Sequence, residues 1–345
     1  MKTKFKYFIK YFLGLVYYYS GIFYLHLHIM RLCGCSVTIL TYHRVTELDI
    51  KDINVSLPFI FVRRNTFINQ LQFIAKYYSV IDQKYLMRMI DISKHEKNNY
   101  LLVSFDDGYE DNYLHAYPIL LQLKLNALLF LSVDKIEPKE YIPFWWDRTF
   151  NILSQLERKV ANAEIEIKII EHKIILQEFI QNKSAFFKKM NSKSDKEIDA
   201  LMDKLESIYN IRTYNKNNAM LKWDQILEMK NIFSVGSHTL SHCNLNTISE
   251  NEVDYELSHS KKIIENRTGE VVHAFSYPAG NHNPALQEKV KKHGYRFAVT
   301  TDPGISDLRS PYALKRINIW EGSSTSPWGT FSKGAFALHL TGLLH

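Results

Sequence analysis

Four residues draw attention for the chemistry that their types and spacing allow. The stretch "LLVSFDDGYEDNY", residues 101–113, runs an apolar segment straight into Asp106 and Asp107. Much later, "VGSHTLSH" supplies His238 and His242 at i and i+4. A buried carboxylate is costly without a partner and two neighbours repel each other, so something positive belongs beside the aspartates. A metal ion, an arginine or a substrate cation would serve; the plain alternative is a solvated Asp-Gly turn. Histidines at i and i+4 on a helical turn lie on one face and can bind one ion together, although surface or core roles account for most such pairs. One carboxylate and two imidazoles leave a divalent metal with positions open to water and substrate. The other aspartate is then available to take a proton from that water.

These side chains need elements that bring them to one place. Leu101, Leu102, Val103 and Phe105 have the composition of a strand buried on both faces, with the aspartates at its end. "SVTILTYHRV" (36–45) is a second predicted strand, ending on His43 and Arg44. "NTFINQLQFIAKYY" has helical spacing with Asn65 or Thr66 as its cap, "AYPILLQLKL" is helical after Pro118, and "ALLFLSV" (127–133) is a further strand. Between Phe144 and Val235 there is no Gly or Pro. There "EIEIKIIEHKIIL" alternates like a pair of strands and "DKEIDALMDKLESIYNI" reads as a charged amphipathic helix.

Alternation then resumes. "WDQILEMKN" and "ENEVDYELSHSKKIIENRTG" read as helices, "IFSVGSH" as a strand and "VVHAFSYPAG" as a strand with a turn. "NPALQEKVKKHG" is a helix capped by Asn283, with Pro284 first and Gly294 beyond its end, before the strands "YRFAVTT" and "ALKRINI". Strands alternating with helices argue for a parallel sheet or an α/β barrel. The expected organisation is an N-terminal helical segment at 1–35, half of the barrel at 36–150, a mainly helical insertion at 151–225, and the second half with a tail at 226–345.

The 345 residues are 46% hydrophobic and 23% charged, an ordinary globular balance. A net charge of +7, with Lys and Arg scattered rather than clustered, carries no nucleic-acid footprint; an anionic membrane surface or an acidic glycan suits it better. Cys33, Cys35 and Cys243 imply no disulfide framework. Residues 11–30 hold no Asp, Glu, Lys or Arg, a length that could span a bilayer, yet their tyrosines and histidines make the segment polar. With the lysines before it, residues 1–32 fit a helix lying at a membrane interface, or one that simply covers the domain. The polar content and the lack of disulfide pairing favour the cytoplasmic face, whereas a spanning helix would leave the domain outside.

"SFDDGYEDN", "GSHTLSH" and "FSYPAG", in this order, resemble the motifs of the polysaccharide deacetylases, the family with the NodB homology domain (carbohydrate esterase family 4). "LTYHRV" and "LKRINI" are similar to segments of its bacterial exopolysaccharide members. The resemblance covers 36–150 and 226–320 and implies an α/β fold, a distorted (β/α) barrel of about seven strands. It also implies metal-dependent removal of acetyl groups from N-acetylated sugars in a glycan.

On that resemblance Asp106 is the catalytic base, and Asp107, His238 and His242 hold the metal, zinc first, with cobalt or nickel in related enzymes. The backbone N–H of Ala279, in the turn that Gly280 permits, is the oxyanion donor, with Tyr277 and Pro278 beside the substrate. Two positions depart from the pattern. Ser276 stands where many members carry an arginine that orients the base, and Arg316 stands where many carry a histidine acid. His43 is then a candidate for the acid or for substrate contact, or a residue that only supports the site, and His339 reads as a tail residue. Trp145 and Trp146 could stack on a sugar ring or only cover the core. The alternatives to an N-deacetylase are a glycan-binding protein on the same fold and an O-acetyl esterase.

Overall fold

The computed structural model describes residues 2–33, 36–48, 56–92, 97–138, 143–190, 193, 195–211 and 219–342. Its strands are β1 (Ser36–Tyr42), β2 (Arg44–Thr46), β3 (Phe61–Arg63), β4 (Ser79–Val80), β5 (Tyr100–Phe105), β6 (Ala127–Leu131), β7 (Phe233–Ser237), β8 (Ala274–Ser276), β9 (Phe297–Val299), β10 (Ser306–Asp307) and β11 (Ile317–Asn318). The helices that precede the long insertion are α1 (Lys2–Tyr19), α2 (Ile22–Cys33), α3 (Arg64–Tyr77), α4 (Gln83–Asp91) and α5 (Tyr117–Leu123). Then come α6 (Trp145–Ala161), α7 (Ile170–Gln181), α8 (Lys183–Met190) and α9 (Asp195–Tyr209), followed by α10 (Trp223–Glu228), α11 (Glu250–Thr268), α12 (Pro284–Lys292) and α13 (Lys333–His339).

Seven strands form one path, in the order β10-β1-β5-β6-β7-β8-β9, which curls into a half-barrel. Each junction is parallel except that of β10 with β1. The start of β1 pairs with β10 and its end with β11, through Leu40 opposite Ile317 and Thr41 opposite Asn318. This is the fold that the alternating strand and helix signals predict.

Side-chain alternation explains why the central strands read as continuous apolar runs. Leu101, Val103 and Phe105 enter one core with Leu40, Leu129, Phe67 and Leu257, while Tyr100 and Leu102 enter another with Val37, Ile39, Leu128 and Phe130. A sheet buried on both faces needs apolar residues at every position. The C-terminal ends of β5, β7 and β8 therefore carry the first polar side chains after each run, and these converge.

By its contacts the chain falls into two compact units, Met1–Ile50 with Phe59–Pro138 and Met220–His345, and Lys51–Pro58 with Lys139–Ala219. The second unit begins before the expected insertion, so Trp145 and Trp146 belong to it, while α10 belongs to the first. Within the second unit Phe150, Phe179 and Phe187 form the core, and Arg148 of α6 pairs with Asp199, Asp203 and Glu206 of α9. The strand pair expected from "EIEIKIIEHKIIL" is not formed. Ile170–Gln181 is a helix, because the buried positions His172, Leu176 and Phe179 recur every three or four residues.

The cap expected for α3 also differs. Asn65 and Thr66 lie inside the helix, which begins at Arg64. Its first turn is closed from outside by Glu321, whose carboxylate accepts from the Arg63 backbone N–H at 2.9 Å and the Thr66 hydroxyl at 2.8 Å. Arg63 Nε donates to the same carboxylate at 2.7 Å. His339, read as a tail residue, is instead buried in α13, with Nε2 donating to the Asn318 carbonyl at 2.8 Å. No helix among the described residues is long and apolar enough to cross a membrane.

Glu321→Ala removes the carboxylate that accepts three hydrogen bonds in one largely buried place. It should lower stability by about 2 kcal/mol, the scale of a lost charged cap and its unpaired donors. Thermal unfolding measures it, and an unchanged midpoint would show that the tie to α3 carries no stability.

Candidate active site

The site begins where β5 ends. Asp106 N–H still pairs with the Tyr42 carbonyl at 3.0 Å, so Asp106 is held as a strand residue. Asp107 then turns to φ 75° and Gly108 to φ 86°. A non-glycine residue in the left-handed region is uncommon, and here it points two adjacent carboxylates in different directions. Both are only 2% exposed.

Asp106 is gripped by Arg316. Nη1 donates to Oδ1 at 2.8 Å and Nη2 to Oδ2 at 2.7 Å, a two-pronged pair that is almost wholly buried. The guanidinium is itself fixed by Nε on the Thr300 carbonyl at 2.8 Å and by Nη2 on Ser276 Oγ at 3.0 Å. Burial opposes ionisation of Asp106, but Arg316, His238 and His43 outweigh it and hold the carboxyl far below the usual range. Arg316, just before β11, thus reaches Asp106 past Ser276, the position where the resemblance leads one to expect an arginine. The residue was visible in "LKRINI", but its contact with Asp106 was not.

Asp107 faces the two histidines. Its Oδ1 lies 3.6 Å from Nε2 of His238 and 3.6 Å from Nε2 of His242. These three residues could hold one cation, with their ligand atoms all within 4.8 Å of one another. The histidine pair is not on a helix, contrary to the helical-turn reading of its spacing. Thr239 (φ 67°) and His242 (φ 65°) are left-handed, and the loop folds back through His242 N–H on Thr239 Oγ1 at 2.9 Å and Leu240 N–H on Glu256 at 2.7 Å. A β-branched residue at positive φ is strained, and such strain persists where surrounding bonds impose it.

The donor set suits a divalent metal. His238 Nδ1–H donates to the Ser276 carbonyl at 2.7 Å, which leaves the Nε2 lone pair turned toward Asp107. Burial pushes both imidazoles down, His242 well below its usual value, so both are neutral ligands at neutral pH.

The remainder of "SFDDGYEDN" fixes the end of β1. Asn112 Nδ2 donates to the His43 carbonyl at 2.8 Å, and Asp111 accepts from Arg44 Nε at 2.7 Å and from Val45 N–H at 3.3 Å. Arg44 is sandwiched between the rings of Phe61 and Tyr109. His43 stands among Asp106, Arg316 and His238, and its enclosed Nδ1 has no hydrogen-bond partner among the described residues. Burial pushes it down to about 4 against the pull of Asp106, so it is neutral at rest.

The turn at the end of β8 runs Pro278–Ala279–Gly280, with Ala279 at φ 52° and Gly280 at φ 73°. Its internal bonds use the N–H of Gly280 and Asn281, and Ala279 O accepts from Thr301 Oγ1 at 3.1 Å. A Cβ at position 280 would overlap Thr301, so glycine is required there. Tyr277 is buried and donates its hydroxyl to the Tyr312 carbonyl at 3.1 Å, which makes it a support for the turn rather than a sugar contact. In the second unit Trp146 is buried and stacks on Phe144, while Trp145, only half-buried, stacks on Phe187.

The sequence matches the family described as polysaccharide deacetylase over residues 93–298. The chain belongs to the polysaccharide deacetylase family. It is 24% identical over 256 residues to YxkH of Bacillus subtilis (strain 168), whose name places it in the same family. The match covers 74% of this chain, which spans 63% of the length of that relative. The Streptococcus pyogenes deacetylase PplD in complex with acetate is similar at a TM-score of 0.55 and 19% identity, over 85% of this chain and 96% of that one. IcaB from Ammonifex degensii is similar at 0.52 and 17%, over 84% and 94%. At such identities the likeness is one of fold, here the NodB-type half-barrel.

Two outcomes follow from this geometry. Elemental analysis should find a divalent metal in the wild-type protein, and Asp107→Ala and His242→Ala should each abolish it; no metal in the wild type, or metal retained in the variants, would overturn this site. Arg316→Ala should raise the pKa of Asp106, because its compensating charge is gone. The acid limb of the pH–rate profile then moves to higher pH, by at least about one unit. An unmoved limb in a variant that still folds and binds metal would detach Arg316 from the base.

Proposed function

We propose that this protein is a metal-dependent hydrolase that removes N-acetyl groups from amino sugars in a polysaccharide, oligosaccharide or lipid-linked glycan. The observation that carries the proposal is the division of labour between the two aspartates. Asp107 joins two neutral imidazoles in a ligand set, and Asp106 is kept ionised beside it by Arg316 without joining that set.

A divalent ion at Asp107, His238 and His242, zinc being the first expectation, supplies Lewis acidity toward the acetamide carbonyl and toward water. Asp106 takes a proton from the attacking water as the new C–O bond forms. The Ala279 N–H, aimed by the left-handed turn, donates to the developing oxyanion. The proton that Asp106 takes from the water must reach the leaving nitrogen, and His43, neutral at rest and within the electrostatic reach of Asp106, is assigned to carry it. As that proton arrives the C–N bond breaks, releasing the sugar amine and acetic acid, which ionises to acetate.

Residues 1–32 support an enzyme associated with a membrane, given their lysines, their tyrosines and the lack of any acidic residue.

Asp106→Asn keeps the size of the base and removes its basicity. Metal content should stay at the wild-type level while acetate release from N-acetylated oligosaccharides falls by about 10² or more. Near-normal turnover would move the base elsewhere. Release from O-acetylated sugars alone would make the protein an esterase, and binding with no release from either would make it a glycan-binding protein.

A further inference from the structure

Residues 8–32 present an apolar surface that is far larger than scattered exposed side chains would make. In α1, Phe8, Ile9, Phe12, Leu13, Val16 and Tyr19 are each between 41% and 73% exposed. At about 100° per residue they fall within an arc of roughly 140°. The other side of the helix lies on the barrel: Gly14 is so close to Gly334 of α13 that a Cβ would stand 2.7 Å from its carbonyl carbon, and Tyr18 packs on Phe73 of α3. In α2, Ile22, Leu25, Ile29 and Leu32 are exposed within an arc of roughly 80°. Phe23 and Leu27, on its other side, are buried in the barrel core. Both helices lay their inner sides on the core, so both stripes face away from it.

Trp328 extends the first stripe. It is 71% exposed, and its ring meets Phe8 and Tyr11 edge-on at 6.4 and 5.8 Å between centroids. Exposed aromatic rings with a polar edge favour the level of lipid headgroups. Charge selects the same occupant. Lys2, Lys4, Lys6, Lys10 and Arg31 lie among the first 46 residues, and the first acidic residue is Glu47; the other cation of this stretch, Arg44, is buried against Asp111 and takes no part. A second copy of the chain would bring basic segment against basic segment. An anionic lipid surface attracts the charge and accepts the apolar stripe together.

We propose that α1, α2 and Trp328 form an in-plane docking face for an anionic bilayer, holding the barrel on the membrane surface without crossing it. This deepens the membrane association proposed above and rests on it, not on the deacetylation chemistry. The loop bearing Trp328 is tied by Arg63 Nη2 to the Gly329 carbonyl at 2.6 Å, next to the start of α3.

The test is co-sedimentation of the full chain with vesicles of phosphatidylcholine, alone or mixed two-to-one with phosphatidylglycerol. The wild type should sediment with the mixed vesicles and lose binding as salt rises. Val16→Asp combined with Ile29→Asp should lower partitioning by at least about tenfold, since charges replace two exposed apolar contacts. The variant should keep metal content and acetate release from a soluble oligosaccharide, which separates failure of this proposal from failure of the deacetylase reading. A lipid-induced blue shift of tryptophan emission should vanish in Trp328→Phe. A wild type that stays in the supernatant with both vesicle types overturns the proposal and the membrane association with it. A double variant that sediments as well as the wild type leaves membrane association standing but overturns this face. A stable wild-type dimer that the double variant makes monomeric assigns the face to a second copy instead.

Discussion

Two carboxylates, adjacent in sequence and both nearly excluded from water, sit at the end of a strand buried on both faces, and the arrangement around them answers that charge. Left alone, such a pair would neutralise by taking up protons, because neither water nor distance relieves the repulsion. The left-handed step at Asp107 parts the two side chains, so that each can be answered separately. Arg316 answers Asp106 with a full, buried positive charge. Asp107 is turned instead toward two neutral imidazoles, a set that could hold a cation. This asymmetry between the two aspartates is what the proposed hydrolysis rests on.

Ser276 joins the two halves of that arrangement. Its hydroxyl accepts from Arg316 and approaches Asp106, while its carbonyl orients the His238 ring. A small side chain at this strand end leaves space for a guanidinium arriving from the segment before β11. The departure from the family pattern at this position and the presence of Arg316 are therefore one fact rather than two.

Half of the non-glycine residues at positive φ among the described residues gather at the same place. Asp107, Thr239, His242 and Ala279 all adopt positive φ without being glycine, and all follow the C-terminal ends of β5, β7 and β8. Each costs on the order of 1–3 kcal/mol, and each aims a ligand, the loop between ligands or a backbone donor. The rigid parallel strands behind them absorb that cost. The NodB-type half-barrel thus acts as the scaffold against which a few unfavourable conformations are imposed.

Much of this was legible in the sequence. Continuous apolar strand runs, the capped helix at Asn283 and the residue types of the candidate ligand set are local properties, and local patterning encodes them directly. The pair "DD" and the spacing of "HTLSH" named the four residues now seen together, because chemistry restricts which side chains can bind a metal or move a proton. What only the tertiary structure decided were the partners across long separations. Arg316 meets Asp106 from 210 positions away, and Glu321 caps α3 from more than 250. Those contacts depend on β11 settling beside the end of β1, a register that no local pattern records. The same reason covers the misread elements: α7 is a helix, the histidine loop is not, and His339 is buried, because in each case packing overrode a short-range signal.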